Sequence, residues 1–333
     1  MFLNFIVPVY NTEPYLKDCL DSLLAQDSKA EEFEIICVND GSTDNSLQIL
    51  QDYADRFGNV HVYSQENKGV CTARNLGLEK ASGKYIHFVD SDDCVSPHSL
   101  SLLMEAANTD PDRIIIGNYR FKDGTLPFKN IESLPQNTIW QDSSACRSVL
   151  KKSFLDKNGL CFSYLELIYG EDALFMYELK YANPKTITIN APIYGYRDRE
   201  DSASHTTQAS IEKQLFSTIR EAEIMKNYYE SGRTDTMTVD RFMSFLFGAL
   251  YHVAAMADRP KYKEYLRIMR EKGLFPYKRP KNCTIRKSYQ MNRGDWIEKI
   301  HDKIYINISS QIGFRTMRCW NSLFRIKNRL ARR

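Results

Sequence analysis

Buried-strand patterns alternate with helical ones over residues 1–115, and this alternation constrains the fold more than any other feature. Residues 33–38 are apolar almost throughout and end in the turn residues Asn39 to Ser42. Such uninterrupted runs are typical of strands buried on both faces of a parallel sheet. Leu47, Leu50 and Tyr53 then recur at helical spacing. The alternation predicts an α/β fold, a doubly wound and mainly parallel sheet with helices on both faces.

Polar residues cluster where the predicted strands end. They are Asn11, Asp40 to Asp44, Asn67 to Gly69, and Asp90 to Asp93. In doubly wound sheets, ligands bind just beyond the carboxyl ends of the strands. The sequence therefore predicts one site built from four loops.

Three carboxylates fall within four residues directly after the predicted strand 85–89: Asp90, Asp92 and Asp93. Carboxylates this close repel one another unless a cation lies among them. Mg²⁺ and Mn²⁺ prefer oxygen ligands and also accept diphosphate oxygens. The alternative is a solvated acidic turn that caps a helix starting near Ser96, which is the commoner case for an isolated turn.

A second acidic pair, Glu171 and Asp172, follows Gly170 in an otherwise aromatic and apolar stretch. Partial burial raises the pKa of a carboxyl group and makes its ionised form a better base. The alternative is structural, with Asp172 as the N-cap of a helix over 173–181. The two roles are compatible.

Six segments together resemble family 2 of the glycosyltransferases, which have the GT-A fold of nucleotide-diphospho-sugar transferases. In the family's order and spacing they are FIVPVYN (5–11), FEIICVNDGSTDNS (33–46), ENKGVCTARNLG (66–77), GKYIHFVDSDD (83–93), YGEDALF (169–175) and YGYRDREDSAS (194–204). The resemblance covers about the first 205 residues. It implies an inverting enzyme, dependent on Mn²⁺ or Mg²⁺, that takes a sugar from a nucleotide-sugar donor. A UDP-sugar is expected, with a glycan or lipid-linked acceptor in bacterial capsule, lipopolysaccharide or exopolysaccharide synthesis.

The resemblance also implies roles for single residues. Asp172 is the expected catalytic base and Glu171 the second candidate. Asp92, in the D-x-D motif, is expected to hold the metal, with Asp90 bonding it through water or bonding the ribose, and His205 completing the coordination. The residues expected to contact the nucleotide or its diphosphate are Val9, Asn11, Asp40, Lys68, Arg74, Asp90, Ser91 and Arg197.

Three of these residues have structural alternatives. Asp40 can accept a hydrogen bond from a uracil N–H, or it can pair with the backbone of Ser42 in a turn. Arg74 suits a base carbonyl or a phosphate, or it pairs with Glu66 or Asp44 on the surface. A lone histidine such as His205 is more often simply exposed.

The chain is expected to divide into a catalytic domain, 1–208, and a helical C-terminal region, 209–333. Within the former, 1–115 forms the nucleotide-binding half and 116–208 the acceptor-binding half. The loop from Asp123 to Gln141 is polar and irregular.

The segment 303–333, here called the basic tail, holds eight basic residues and no acidic one. Because the whole chain carries +3, the eight tail charges leave 1–302 at −5. Trp320, Leu323, Phe324 and Ile326 lie among the charges, as in an amphipathic helix at an anionic membrane surface. We expect a cytoplasmic enzyme, peripheral at the inner membrane, without a nucleic-acid partner.

Other classes fit less well. A sugar nucleotidyltransferase would need a Gly-rich, basic loop where this chain has Pro8 to Asn11. A catalytically silent scaffold would be indicated by loss of Asp92 or Asp172, and both are present.

No run approaches the roughly 20 apolar residues that span a bilayer, and the first residues lack the features of a signal peptide. The eight scattered cysteines form no CxxC pair, so we expect free thiols.

Overall fold

The computed structural model describes residues 1–97, 99–122, 144–165, 167, 170–198, 208–235, 237–238, 242 and 259–274. The chain forms two compact units. The first contains Met1–Glu166 and Glu171–His205, and the second Leu167–Gly170 and Thr206–Arg333. The predicted loop 123–141, His205 and the basic tail lie outside the described residues.

The described part of the first unit is built on an eight-stranded sheet of order β3-β2-β1-β4-β7-β6-β8-β5. Its strands are β1 (Leu3–Val9), β2 (Phe33–Asp40), β3 (Val60–Gln65), β4 (Tyr85–Phe88), β5 (Cys94–Val95), β6 (Arg113–Lys122), β7 (Ser148–Lys151) and β8 (Thr186–Asp198). Strands β1 to β4 are mutually parallel. Strand β7 runs antiparallel to both β4 and β6, and β8 pairs parallel with β6 and antiparallel with β5.

Helices connect these strands. They are α1 (Glu13–Leu24), α2 (Ser46–Arg56), α3 (Val70–Lys80), α4 (Ser99–Ala107), α5 (Lys152–Asn158) and α6 (Glu171–Tyr181). The chain steps outward from β1 to β2 to β3 and then returns past β1 to β4. Since parallel crossovers are right-handed, α1 and α2 lie on one face and α3 on the other. The carboxyl ends of β1 and β4 therefore flank the point where strand order reverses, which is where such folds bind ligands.

The core confirms the predicted sheet. The strands β1, β2 and β4 are buried along nearly their whole length, with Phe5, Ile36 and Phe88 at 1% exposure or less. The α/β fold class and the parallel arrangement of β1 to β4 are thus as the apolar runs predict. Predicted strands at β1 to β4 and β6 are all present.

Three strands lack a clear sequence signal. β5 and β7 have two and four residues, too few to show a period. β8 is interrupted by Pro192, which lies opposite Gly117 at a shift in register. A proline has no N–H for the ladder and is tolerated in a sheet at such an irregularity.

Asn45 is the N-cap of α2, and Asp44 Oδ1 accepts the Ser46 N–H at 2.9 Å. Two helix starts differ from expectation by two or three residues. Helix α6 begins at Glu171, so Asp172 lies in its first turn rather than at the cap. Helix α4 begins at Ser99 and not near Ser96.

The second unit contains two described helices, α7 (Gln208–Glu230) and α8 (Arg259–Glu271). Both helices lie in the C-terminal region that the sequence predicts to be helical. Pro260 is in the first turn of α8, where its missing N–H costs no helical bond. Lys272 Nζ lies 2.7 Å from Glu223 Oε2 and ties the end of α8 to α7. Among the described helices, none is both long and apolar enough to cross a bilayer.

Candidate active site

The acidic turn at 90–93 begins two residues after β4, beside the carboxyl end of β1. The N–H of Asp93 donates to the Asp90 carbonyl at 3.0 Å and closes the turn. Ser91 is buried and its Oγ accepts the Thr12 hydroxyl at 3.0 Å. Asp90 is 37% exposed along its side chain, Asp92 is half-buried and Asp93 is fully buried. The turn therefore presents two reachable carboxylates and hides the third.

Arg74, on α3, connects this turn to the second acidic pair. One guanidinium nitrogen, Nη2, lies 3.0 Å from Asp90 Oδ1. The other, Nη1, lies 2.7 Å from Asp172 Oδ1 and 3.3 Å from Glu171 Oε1. Arg74 is buried, and a guanidinium in such surroundings stays charged and directs its donors in fixed directions. These partners differ from the Glu66 or Asp44 pairing considered from the sequence.

The two acids at the start of α6 have altered acidity. Burial raises the pKa of Glu171 to about 7, with a further contribution from the charge of Asp172, while Arg74 opposes the rise. Burial likewise raises the pKa of Asp172, again opposed by Arg74. Asp172 Oδ2 also accepts the Ala145 N–H at 3.1 Å. A carboxyl group that titrates near neutral pH is suited to general-base work.

A small, partly open cleft lies beside Glu171. It has room for about one water molecule and is lined by Glu171, Glu178, Phe162, Tyr164 and others. Asn75 fixes this wall, because its side chain exchanges two 2.9 Å hydrogen bonds with the backbone of Phe162. Helix α3 thus orders both the acids, through Arg74, and the neighbouring wall, through Asn75.

Asp40, at the end of β2, is 3% exposed and organises the loop before α3. Its Oδ1 accepts the Gln65 side chain at 2.7 Å and the Lys68 N–H at 2.8 Å, and its Oδ2 accepts the Gly69 N–H at 2.9 Å. The Ser42 N–H, considered from the sequence as its partner, donates instead to Asn39 Oδ1 at 3.1 Å.

Asn11 joins the loop after β1 to the loop after β2. Its Oδ1 accepts the Thr43 N–H at 2.8 Å, and its own N–H donates to Ser42 Oγ at 3.1 Å. Val9 is buried at the end of β1, and the Lys68 side chain is exposed. Hence the structure gathers the predicted nucleotide residues from the first three loops at one edge of the sheet.

Arg197, near the end of β8, is 3% exposed. Its Nε donates to the Asp92 carbonyl at 2.8 Å, and its Nη2 lies 2.9 Å from Asp18 Oδ2. Its own N–H donates to Asp93 Oδ1 at 2.8 Å. In this structure the Arg197 guanidinium contacts the acidic turn, and the phosphate contact expected from the sequence stays a prediction.

Several residues at the site had no role assigned from the sequence. Asp18 reaches Arg197 across 179 positions, and Ala145 reaches Asp172 only through a backbone N–H. No local pattern could reveal either contact. Tyr194 could have been found, because it lies in the quoted segment 194–204, and its hydroxyl donates to Asp93 Oδ2 at 2.5 Å.

The residues present suit a divalent cation. Asp90 and Asp92 offer hard oxygen ligands and are partly exposed at the carboxyl edge of the sheet. Within the described part of the chain, no three His, Cys, Asp or Glu side chains surround one point. Mg²⁺ is commonly held by one or two carboxylates together with substrate phosphates, so a complete protein cage is not required.

Comparison with known proteins places the chain in a family. Residues 4–163 match the model of glycosyl transferase family 2. Glycosyltransferase GlyG of Streptococcus pneumoniae serotype 4 is 40% identical over 224 residues, which are 61% of this chain and 73% of GlyG. The chain belongs to glycosyltransferase family 2.

Two further relatives extend over more of the chain. A poly(ribitol-phosphate) beta-glucosyltransferase of Bacillus spizizenii is 26% identical over 94% of this chain and 55% of its own length. The crystal structure of S. aureus TarS 1–349 with UDP-GlcNAc covers 83% of this chain and 93% of TarS 1–349, at 22% identity and a TM-score of 0.54. The likeness to TarS shows the GT-A fold. The chain spans only 25% to 60% of the length of several other curated relatives.

Proposed function

We propose that this chain is an inverting glycosyltransferase that moves a sugar from a UDP-sugar to a glycan or lipid-linked acceptor in bacterial surface-polysaccharide synthesis. The observation that carries the proposal is the buried Arg74 guanidinium, which joins Asp90 to Glu171 and Asp172. A donor-side carboxylate and a pair of candidate bases are thereby held within one network. The relatives named for glucosyl transfer to poly(ribitol phosphate) and for UDP-GlcNAc binding support this donor and acceptor class.

On the donor side, Asp92 and Asp90 would hold Mn²⁺ or Mg²⁺. When bound, the cation supplies charge neutralisation for the departing diphosphate. Asp40, Asn11 and Val9 shape the loops that would receive the nucleotide base. Asp40 acts there by fixing the Lys68 and Gly69 backbone.

On the acceptor side, inversion requires a base that takes the proton of the attacking hydroxyl. We assign this role to the pair at the start of α6, with Asp172 first, as the family resemblance implies. Glu171 is the second candidate, since its pKa of about 7 suits a base and it lines the small, partly open cleft. Arg74 keeps both side chains directed toward the acidic turn.

A donor screen tests the proposal. Purified protein is incubated with UDP-, GDP- and dTDP-sugars, and nucleoside diphosphate release is measured with Mn²⁺, with Mg²⁺ and with a chelator. We expect release from at least one UDP-sugar that is abolished by the chelator. Release that persists undiminished in the chelator would contradict the metal assignment, and release from GDP-sugars alone would contradict the UDP assignment. The variant Asp156→Asn, at an exposed acid that pairs with Lys152 on α5, is the matched control.

A further inference from the structure

The acidic turn is braced from behind by β8. We call the bracing residues Asp93, Tyr194 and Arg197 the β8 clamp, and each of them is 3% exposed or less. The Tyr194 hydroxyl donates to Asp93 Oδ2 at 2.5 Å and accepts the Asp90 N–H at 3.3 Å. A single hydroxyl thus contacts both ends of the four-residue turn.

Arg197 holds the middle of the same turn. Its Nε donates to the Asp92 carbonyl at 2.8 Å, and its backbone N–H donates to Asp93 Oδ1 at 2.8 Å. Its guanidinium carbon lies 5.2 Å from the Tyr15 ring centre and 4.9 Å from that of Phe121. The main chain at both Asp90 and Asp92 is therefore bonded to β8.

These contacts favour a positioning role for Arg197 over a phosphate contact. The Arg197 guanidinium is bonded through Nε to the Asp92 carbonyl and through Nη2 to Asp18, at 2.8 and 2.9 Å. It also lies over the rings of Tyr15 and Phe121. Tyr194 gives independent support, because its hydroxyl is committed to the same turn.

We infer that the β8 clamp sets the separation of the Asp90 and Asp92 carboxylates and so determines the affinity of the site for a divalent cation with a nucleoside diphosphate. Tyr194 and Arg197 are positioning residues that act through the main chain of the turn without touching the donor. This inference rests on the proposed function, which makes Asp90 and Asp92 the cation ligands. The inference adds that β8, although distant in the sequence, controls how tightly Asp90 and Asp92 bind the cation.

The test measures Mn²⁺ binding directly, by the loss of the free-ion electron paramagnetic resonance signal, for the full-length protein with saturating UDP. Tyr194→Phe removes only the hydroxyl. Arg197→Lys keeps the positive charge but loses the planar guanidinium with its several N–H donors. We expect both variants to weaken Mn²⁺ binding by about tenfold, which corresponds to about 1.4 kcal/mol. Tyr196→Phe, the same change two positions along β8, is the control and should bind Mn²⁺ as the unaltered protein does. At saturating Mn²⁺, UDP release by Tyr194→Phe should return to within about threefold of the unaltered rate.

The outcomes separate the possibilities. Unchanged Mn²⁺ binding in Tyr194→Phe overturns the clamp. Arg197→Lys with normal Mn²⁺ binding but a raised KM for the donor also overturns it and makes Arg197 a direct diphosphate ligand. If the unaltered protein binds no Mn²⁺ in the presence of UDP, the proposed function itself fails, and the clamp's role fails with it. Circular dichroism of each variant shows whether it is folded.

Discussion

At the scale of single residues, Arg74 connects the acidic turn to the two acids at the start of α6. Its two terminal nitrogens contact carboxylates that lie 16 and 98 positions away in the chain. A lysine would keep the charge, but its single ammonium group cannot reproduce the planar fork. The relation between Asp90 and Asp172 therefore depends on guanidinium geometry and not on charge alone.

We predict that Arg74→Lys lowers turnover by about 10²-fold, the loss typical of a misplacement of about 1 Å at a reacting centre. Steady-state release of UDP from the donor found in the screen provides the measurement. Arg56→Lys is the matched control, because Arg56 is an exposed arginine on α2. If Arg74→Lys releases UDP as fast as Arg56→Lys, the planar geometry of the guanidinium is irrelevant to the reaction.

Asp172→Asn is predicted to leave donor binding intact and to cut turnover by about 10²-fold or more, because a base acts chiefly in the transition state. Calorimetry with UDP and Mn²⁺ measures the binding, and UDP release measures the turnover. Glu171→Gln is the companion variant. Normal turnover in Asp172→Asn together with a large loss in Glu171→Gln would reverse our order of the two acids.

The raised pKa of Glu171 leads to a prediction on pH. A carboxyl group with a pKa of about 7 is largely protonated at pH 6 and cannot then accept a proton. If Glu171 rather than Asp172 takes the proton, turnover should therefore rise as pH increases through about 7 and level off above it. A profile of kcat against pH checks this, and Glu171→Gln should move or remove the inflection. A profile that is flat between pH 6 and 8 would show that this titration does not control the rate.

At the scale of elements, β1 to β4 and β6 were predictable from the sequence, and β5, β7 and β8 were not. Apolar runs mark β1, β2 and β4 because they carry no polar alternation. In the first part of β8, Ile187 and Ile189 are less exposed than the residues on either side of them. Burial therefore alternates with the period of two residues that is typical of a strand, and Pro192 interrupts this alternation. The order of β6, β7 and β8 depends on pairings between distant segments, and no local pattern encodes it.

The same division holds for the site. Loops that follow strands could be assigned to one edge of the sheet, because parallel strands place their carboxyl ends together. The contacts inside the site were less predictable. Arg74 was expected at a nucleotide, while the structure gives it three carboxylates that converge only when α3, β4 and α6 have packed.

The loop between β3 and α3 provides a test at this scale. Gly69 has φ +88° and ψ 160°, a conformation nearly restricted to glycine, and its N–H is bonded to Asp40. We predict that Gly69→Ala lowers the free energy of unfolding by about 1–3 kcal/mol and weakens UDP binding. Gly58→Ala is the control, because a Cβ atom there meets no other atom within 4 Å and φ is not positive. Equal melting temperatures for the two variants would contradict the strain argument.

At the scale of the whole molecule, charge is divided unequally along the chain. Residues 1–302 carry −5 and the basic tail carries eight positive charges, for a total of +3. Apolar side chains at Trp320, Leu323, Phe324 and Ile326 lie among the charges. A basic, partly aromatic segment of this kind is attracted to anionic lipid, with each Lys or Arg near the surface contributing about 1 kcal/mol.

We predict that the full-length protein sediments with liposomes that contain anionic phosphatidylglycerol at low salt, and that truncation after Asp302 abolishes this. Salt should weaken the binding, because screening shortens the reach of each charge. The alternative is that the tail packs on the remainder of the chain with its charges in water. Failure of the full-length protein to sediment at low salt would exclude the membrane role.

Two further variants separate charge from burial in the same experiment. Replacing Arg325, Lys327 and Arg329 with glutamine removes three cations and leaves the aromatic residues in place. Replacing Trp320 and Phe324 with serine does the reverse. If both contribute, the first variant should bind more weakly and with a smaller dependence on salt, since five of the eight cations remain. The second variant should bind more weakly but keep the full sensitivity to salt. This combination is expected of a segment held at the headgroup level by both forces.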